Sequence, residues 1–362
     1  MADGNLNNEQ THVDRTLSRV LTWVGESELI WFGIFLLLAV VITLGALTAS
    51  TGYEDIAGIG RQVDGTAYRP YVYRQLVPLT IRIVSQFIPE EKMVSLDRMG
   101  AQTNIGATIQ LLENDFALNI FSALINFMSL IGFAYVYRAL LRAQLSGPSL
   151  YFNITVACAL YGLTYTNHEG VYSYDYPLLF LYTTAIYLMS RQVWWAYYFV
   201  FILATINKET TILLTAVYAL TFWRKHNSRH FTLHLLSQFI TFAIITSSIR
   251  FYFSENPGSG VEIHFLRNIR LLMNPPDVYD FPLLMMMLFV LIVKDWYAKP
   301  SLFKNTFLMV VPLVCLGFAF GWVDELRDYY EVYPAVIALA GIPLALYVFG
   351  VPIRPRPSID LA

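Results

Sequence analysis

Four clusters of charged residues and tyrosines interrupt the long apolar runs of this sequence. They lie at 53–74, 167–176, 207–209 and 324–331, and each contains carboxylates together with basic or tyrosine side chains. A carboxylate can take the proton from a hydroxyl as a general base, and Arg or Lys can hold a phosphate and stabilise its developing charge. Tyr presents a ring face and a hydroxyl to a sugar. Together these residue types suit chemistry on a sugar joined to a phosphate.

Nine residues of these clusters are candidates for contacting the two substrates of such a reaction. The phosphate needs cations, and the acceptor needs polar and acidic partners. The phosphate candidates are Arg69, Arg74, Lys208 and Arg327, and the candidates on the acceptor side are His168, Glu169, Asp175, Glu209 and Glu325.

Each cluster also has a purely structural explanation. Charged residues at the ends of membrane spans commonly mark the water interface, and Tyr belongs to the aromatic belt there. Arg69 and Arg74 would then be lipid-phosphate anchors, and Lys208 with Glu209 would be a structural ion pair. Ionisable groups inside a membrane are costly and often functional, which favours a site role most at Lys208 and Glu209.

The composition is that of a membrane protein. Of 362 residues, 56% are hydrophobic and 14% are charged, whereas soluble domains carry charge on roughly 25% of positions. A net charge of −2 argues against a nucleic acid as partner, because phosphate-binding surfaces need a basic excess. Cys158 and Cys315 fall inside apolar runs, and we expect both to be buried.

Eight apolar runs are candidate transmembrane helices, because a crossing needs about 20 mostly apolar residues. No internal repeat, coiled coil or low-complexity tract accompanies them. The runs are Leu29–Ser50, Phe116–Tyr137, Ser149–Thr166, Tyr172–Ser190, Phe231–Phe253, Phe281–Lys294, Thr306–Val323 and Val332–Gly350.

A ninth apolar stretch, Trp194–Trp223, is interrupted by the polar sequence at 207–210. One unbroken helix here would be about 45 Å long, well beyond a hydrocarbon core of about 30 Å. It would also bring Lys208 and Glu209 to the middle of the bilayer, at about 2.5–3.5 kcal/mol each. Two short spans joined by a polar turn avoid both costs, so the sequence predicts ten crossings.

The distribution of Lys and Arg predicts an orientation with both termini in the cytoplasm. The predicted organisation is a cytoplasmic tail (1–28), one transmembrane domain (29–350) and a second cytoplasmic tail (351–362). The long first outer loop, 51–115, contains the apolar stretch Gln75–Ile88, which is too short to span and is expected to lie as an interfacial helix.

This layout resembles the C-type membrane glycosyltransferases, which use polyprenyl-phosphate-linked sugars on the non-cytoplasmic face. The similarity consists of many spans, a long first outer loop with interfacial helix, and acidic residues soon after the first span, here within Tyr53-Glu54-Asp55. In those enzymes the acidic position is the catalytic base or a metal ligand. The resemblance therefore implies Asp55 or Glu54 as the base, with Asp64 as an alternative.

We therefore expect an all-α, multi-pass enzyme of the inner or plasma membrane that takes a sugar from a lipid-phosphate donor. Its partners would be the bilayer and the lipid-linked sugar. A divalent metal is possible, although no ligand spacing specifies one. Two rival interpretations stay open. One is a secondary transporter, for which interrupted helices are a known device, and the other is a non-catalytic membrane subunit.

Overall fold

The computed structural model describes residues 22–49, 53–102, 116–166, 170–273, 280–323, 325–350 and 352–356. These residues are almost entirely helical. Their only strands are β1 (Leu145–Ser146) and β2 (Arg354–Pro355), which pair antiparallel. The all-α class predicted from the sequence is confirmed.

The helices are numbered here in chain order, and residues 22–26 are also helical. Short 3₁₀ turns cover Tyr71–Tyr73, Glu209–Ile212, Trp296–Ala298 and Leu326–Tyr329. The α-helices are α1 Glu28–Thr48, α2 Glu54–Ala57, α3 Ile59–Asp64, α4 Leu76–Ser85, α5 Glu90–Ala101, α6 Phe116–Gln144, α7 Ser149–Thr166, α8 Asp175–Ser190, α9 Trp194–Asn207, α10 Leu213–Phe222, α11 Ser228–Tyr252, α12 Phe265–Met273, α13 Asp280–Val293, α14 Ser301–Phe307, α15 Val310–Phe320 and α16 Tyr333–Phe349.

Several of these helices have the length and apolarity of membrane spans. Within the described residues, α1, α6, α11 and the stretch Ser301–Phe320 are long and apolar enough to cross a bilayer. Their outer faces carry large exposed hydrophobic side chains, such as Leu37 on α1 and Ile244 on α11. Because water would not tolerate so much exposed apolar surface, the solvent of these faces is lipid. The chain is a membrane protein.

Helix α8 lies in the interior of the bundle and packs on α6 and α9. Eleven of its 16 residues are buried, so protein rather than lipid surrounds it. Its contact with α6 is close because Gly132 faces Phe180. A Cβ at Gly132 would lie 2.7 Å from the ring of Phe180.

The predicted interruption between 207 and 210 is confirmed. Helix α9 ends at Asn207, Lys208 has extended backbone angles, and a 3₁₀ turn then leads into α10. The chain also folds back, because the rings of Trp194 and Phe222 lie 5.6 Å apart. In one continuous helix these two residues would be separated by about 42 Å.

The connection after α1 is itself folded and is joined to the loop after α11. The Arg69 guanidinium donates hydrogen bonds to the carbonyls of Ser254 (2.8 Å) and Gly258 (2.7 Å). Asn256 donates to the carbonyls of Gly65 and Ala67. Gly258 has a φ of +90°, and a Cβ there would lie 2.6 Å from the Arg69 carbonyl oxygen, so this close approach requires glycine. The two loops therefore form one unit.

Helix α4 occupies most of the predicted interfacial segment Gln75–Ile88. It buries Val77 and Ile81 against the protein, whereas Leu79 and Ile83 are exposed. An exposed apolar face on a helix of ten residues fits a location in the headgroup region.

The expectation that both cysteines are buried is wrong. Cys158 on α7 and Cys315 on α15 are exposed. In a bundle whose solvent is lipid, an apolar neighbourhood in sequence does not imply burial, because helix faces toward lipid are as apolar as faces toward protein.

Candidate functional site

A cavity of about 360 Å³ lies where the ends of several helices meet. Its walls come from the segment after α1, the segment before α8, the break between α9 and α10, the last turn of α11 and the connection between α15 and α16. All four polar clusters of the sequence contribute. The members of those clusters that line the cavity are Tyr53, Pro70, Tyr71, Arg74, Tyr172, Tyr174, Asp175, Lys208, Glu209, Glu325, Arg327 and Asp328.

One wall of the cavity is a continuous row of aromatic rings. Tyr174 stacks on Tyr172 with ring centroids 5.2 Å apart. Tyr172 contacts Tyr71 at 5.7 Å, and Tyr71 contacts Tyr53 at 6.0 Å. Tyr53 meets Trp322 edge-on at 5.9 Å. A row of this kind offers ring faces and hydroxyl groups together, as sugar recognition requires.

Two guanidinium groups lie against this aromatic wall. The guanidinium carbon of Arg74 is 4.3 Å from the centroid of Tyr174, and that of Arg327 is 4.4 Å from the centroid of Tyr172. Arg74 also donates a hydrogen bond to the Tyr174 hydroxyl. Ring stacking and hydrogen bonding hold both guanidinium planes in fixed orientations.

Each of these arginines is paired with a carboxylate. Arg74 Nη2 lies 3.7 Å from Glu209 Oε1. Arg327 binds Glu325 with two contacts, Nη2 to Oε1 at 3.0 Å and Nε to Oε2 at 3.2 Å, and it donates to the Gly170 carbonyl at 2.7 Å. The Arg327 contacts therefore join the connection before α16 to the connection before α8.

Lys208 lines the cavity and is buried, with only 5% of its side chain exposed. Its ammonium is 3.6 Å from Asp328 Oδ1. Behind it, Glu331 is completely buried, and neither carboxylate oxygen has a hydrogen-bond partner among the described residues. Lys208 is the cation that stabilises the charge of Glu331 most.

Burial and neighbouring charges act in opposite directions on the paired groups. Burial alone would lower the pKa of Arg74, but the carboxylates of Glu209 and Asp175 raise it above its ordinary value. Burial raises the pKa of Glu325, and Arg327 opposes that shift. Burial also raises the pKa of Tyr71 to about 12. The Tyr71 hydroxyl is therefore neutral at physiological pH and can act as a donor.

The loop after α11 brings a fifth carboxylate and a histidine to the cavity. Glu262 Oε2 lies 3.2 Å from His264 Nε2 and accepts a hydrogen bond of 3.4 Å from the Tyr71 hydroxyl. Of the five lining carboxylates that the structure describes, Glu262 and Asp175 form no ion pair with a Lys or Arg side chain. Asp175 is buried and surrounded by the charges of Arg327 and Lys208.

The opposite wall of the cavity is apolar and belongs to α15. Leu313, Leu316 and Phe320 line it, and Val311 and Val314 of the same helix are exposed without lining the cavity. Asn268 of α12 fixes the end of this helix by donating to the carbonyls of Gly317, Phe318 and Gly321. The cavity therefore has a polar side and an apolar side that continues to the lipid-facing surface.

Six of the residues proposed from the sequence lie together here. They are the phosphate candidates Arg74, Lys208 and Arg327 and the acceptor-side candidates Asp175, Glu209 and Glu325, all of which line the cavity.

The remaining candidates lie elsewhere. Asp55 is exposed on α2, and Asp64 is exposed at the end of α3; neither lines the cavity. Arg69 also lies outside the lining, because its guanidinium binds the loop carbonyls described above. His168, Glu169 and the side chain of Glu54 lie outside the described residues.

Four residues of the site were missed by the sequence analysis: Arg250, Glu262, His264 and Glu331. Arg250 lies in the last turn of the apolar helix α11, and a basic residue at that position could have been recognised from the sequence as a candidate. Glu262 and His264 reach the cavity only because their loop is bound to the loop around Arg69, and no local pattern reveals that contact. Glu331 belongs to the fourth polar cluster of the sequence but was not proposed as a site residue, and it is buried.

Among the described residues, no group of three or more His, Cys, Asp or Glu side chains has a geometry that could hold a metal ion. No protein-family model, no curated protein and no solved structure matches this chain.

Proposed function

We propose that this protein is a membrane glycosyltransferase that moves a sugar from a lipid-phosphate donor to a hydroxyl of a lipid-linked or polymeric acceptor. The observation that supports it is the composition of one cavity. Fixed cations, carboxylates and an aromatic wall lie on one side, and an apolar wall continuous with the lipid-facing surface lies on the other. A substrate with a sugar-phosphate head and a hydrocarbon chain needs both sides at once.

The donor phosphate would bind to the cations Arg74, Lys208 and Arg327, with Arg250 at the rim. Their stacked or buried positions limit reorganisation when negative charge moves onto the leaving phosphate. Among the described lining residues, these four cations face five carboxylates. The lining therefore carries no net positive charge. This favours a donor with a single phosphodiester over one with several phosphates. The five carboxylates are Asp175, Glu209, Glu262, Glu325 and Asp328.

The hydrocarbon chain of the donor would lie along α15. Leu316 and Phe320 connect the cavity to the bilayer, so the chain can stay in lipid while the head enters the polar side. Tyr53 and Trp322, the partly exposed rings of the aromatic row, would then face the sugar.

Two carboxylates are candidates for the general base. Asp55 is the residue implied by the family resemblance. Glu262 is favoured by geometry because it lines the cavity, forms no ion pair with a Lys or Arg among the described residues, and is 29% exposed, whereas Asp175 is only 1% exposed. His264 and Tyr71 would orient Glu262 through their contacts with Oε2. Either residue would take the proton of the acceptor hydroxyl as the sugar is transferred.

The proposed topology has ten crossings, both termini in the cytoplasm and the cavity on the non-cytoplasmic face. The helix ends that line the cavity alternate along the chain as such a topology requires, and α9 and α10 supply the fold-back. The bias of Lys and Arg toward the opposite end supports this orientation.

The test uses the purified full-length protein in nanodiscs with a panel of polyprenyl-phosphate-linked sugars and a radiolabelled donor. Transfer to a lipid-linked acceptor is expected. Glu262→Gln and Asp55→Asn are compared, and the variant that lacks the base should lose about 10²–10⁴ in rate while it keeps the wild-type melting temperature. A chelator in the same assay tests dependence on a divalent metal.

Full transfer by both variants would move the base elsewhere, with Asp64 as the next candidate. If no lipid-linked sugar binds or reacts, the proposed function is wrong. Uptake of a solute by proteoliposomes would then support the transporter interpretation.

A further inference from the structure

A second cavity, of about 450 Å³, lies at the other end of the bundle. Helix α10 and its preceding turn begin at Glu209 in the first cavity, and the second cavity surrounds the C-terminal end of that helix, about 20 Å away. The remaining wall comes from the start of α14. The lining residues are Ala219, Leu220, Thr221, Trp223, Arg224, Lys225, Ser301 and Asn305.

Two adjacent cations line this cavity, and no carboxylate of the described residues does. Among the described residues, neither Arg224 nor Lys225 forms an ion pair with an acidic side chain. The whole stretch 210–254, which includes α10 and α11, contains no Asp or Glu. The positive charge of the cavity is therefore not neutralised by its own segment of the protein.

The cavity lies at the depth of the lipid headgroups. Three large aromatic side chains are exposed at this end of the bundle: Trp195 is 80% exposed, Trp223 is 69% exposed and Tyr297 is 95% exposed. Exposed Trp and Tyr at the ends of apolar helices form the belt that marks the membrane interface. Trp223 belongs both to this belt and to the cavity wall.

The walls suit an amphiphile better than a soluble ion. Leu220 is 48% exposed and borders the polar part of the cavity, so an acyl chain can follow the α10 surface into the bilayer. Asn305 donates a hydrogen bond of 3.2 Å to the Thr221 hydroxyl, which joins α14 to α10. The hydroxyl of Ser301 completes the polar surface.

We propose that this second cavity binds the headgroup phosphate of an anionic phospholipid, with Arg224 and Lys225 as its two cationic contacts. Basic pockets between membrane helices at the headgroup level bind acidic lipids through such pairs. The proposal is independent of the glycosyltransferase function, because the two cavities share no lining residue.

The test uses delipidated full-length protein in a neutral detergent, titrated with dioleoyl phosphatidylglycerol and followed by native mass spectrometry. The wild type is expected to retain one phosphatidylglycerol more tightly than phosphatidylcholine. The double variant R224Q/K225Q should bind it on the order of tenfold more weakly. Arg191→Gln is the matched control, because Arg191 is an exposed cation in the turn between α8 and α9 and does not line the cavity. It should bind like the wild type.

Three outcomes would overturn the proposal. The first is that the double variant retains phosphatidylglycerol as tightly as the wild type. The second is that Arg191→Gln loses as much affinity as the double variant, which would indicate unspecific surface charge. Displacement of the lipid by an equal concentration of glycerol 3-phosphate would show that the cavity recognises a soluble phosphate instead. Unchanged melting temperatures of all variants exclude misfolding as the cause.

Discussion

The ammonium of Lys208 lies 3.6 Å from the carboxylate of Asp328, although the first residue sits in the break between α9 and α10 and the second precedes α16. The contact joins two walls of the cavity that are far apart in the chain. Glu331 lies behind the same ammonium without a hydrogen-bond partner among the described residues. The positive charge of Lys208 thus compensates two carboxylates, that of Asp328 in the cavity lining and that of the buried Glu331.

Replacement of Lys208 by Met should destabilise the protein by about 3 kcal/mol, because it leaves buried negative charge without its cation. Thermal unfolding of the purified protein in detergent measures the effect. The double variant K208M/E331Q should recover part of the loss, since Glu331 no longer needs a partner. A wild-type melting temperature for Lys208→Met would mean that the ion pair does not hold the walls together.

Arg74→Gln should weaken donor binding by on the order of 10- to 100-fold, because it removes a charge-assisted contact to phosphate and the stacking on Tyr174. Arg74→Lys should recover little, since an ammonium cannot stack on the ring in the same way. Isothermal titration with the lipid-linked donor measures both. Arg61→Gln is the control, because Arg61 is exposed on α3 and does not line the cavity. Equal losses in Arg61→Gln and Arg74→Gln would refute a specific role for Arg74.

The Glu331→Gln variant should gain stability relative to the wild type as pH rises. Burial raises the pKa of Glu331 above its ordinary value of 4.5. The stability that the wild type gains from the protonated side chain is complete below the ordinary pKa and is lost as pH rises through the raised value. Gln stays neutral throughout. The difference in melting temperature between variant and wild type should therefore grow from pH 4.5 to mildly alkaline pH, and a constant difference would contradict it.

Asn268→Asp should destabilise the protein by about 2–3 kcal/mol, because it replaces the amide that donates to three carbonyls at the end of α15 with a carboxylate that only accepts. Since α15 supplies the apolar wall of the cavity, transfer should fall together with the melting temperature. Asn268→Gln, which keeps the donor, should lose less. Equal stability of the Asp and Gln variants would show that these hydrogen bonds contribute little.

The long apolar helices were predictable from the sequence because each is an apolar run that ends in polar residues, whereas the polar or amphipathic helices α5 and α12 were not predicted. The predicted run Ser149–Thr166 is identical to α7, and the break at Lys208 follows from the cost of two charges in mid-bilayer. Clusters at alternate span ends also had to meet on one face, which accounts for the convergence of Arg74, Lys208 and Arg327.

Loop structure was not predictable in the same way. Arg69 and Arg74 look alike in the sequence, yet one guanidinium binds carbonyls of a loop 185 positions away and the other enters the cavity. That loop contact also decides that Glu262 and His264 reach the site. Asp55 follows the first span as expected, but the orientation of the four-residue helix α2 leaves its side chain exposed. Long-range pairing of this kind leaves no periodic signal in the chain.

The short length of α9 has a consequence for the membrane itself. Its 14 residues rise only about 21 Å, against a hydrocarbon thickness of about 30 Å. If α9 crosses the bilayer as proposed, the resulting hydrophobic mismatch favours local thinning of the bilayer beside it. Lipid headgroups there would sit several ångströms deeper than in the surrounding membrane, close to the level of Lys208. The fold would thus lower the membrane surface toward its own polar cavity, so that a lipid-borne phosphate could enter without leaving the bilayer.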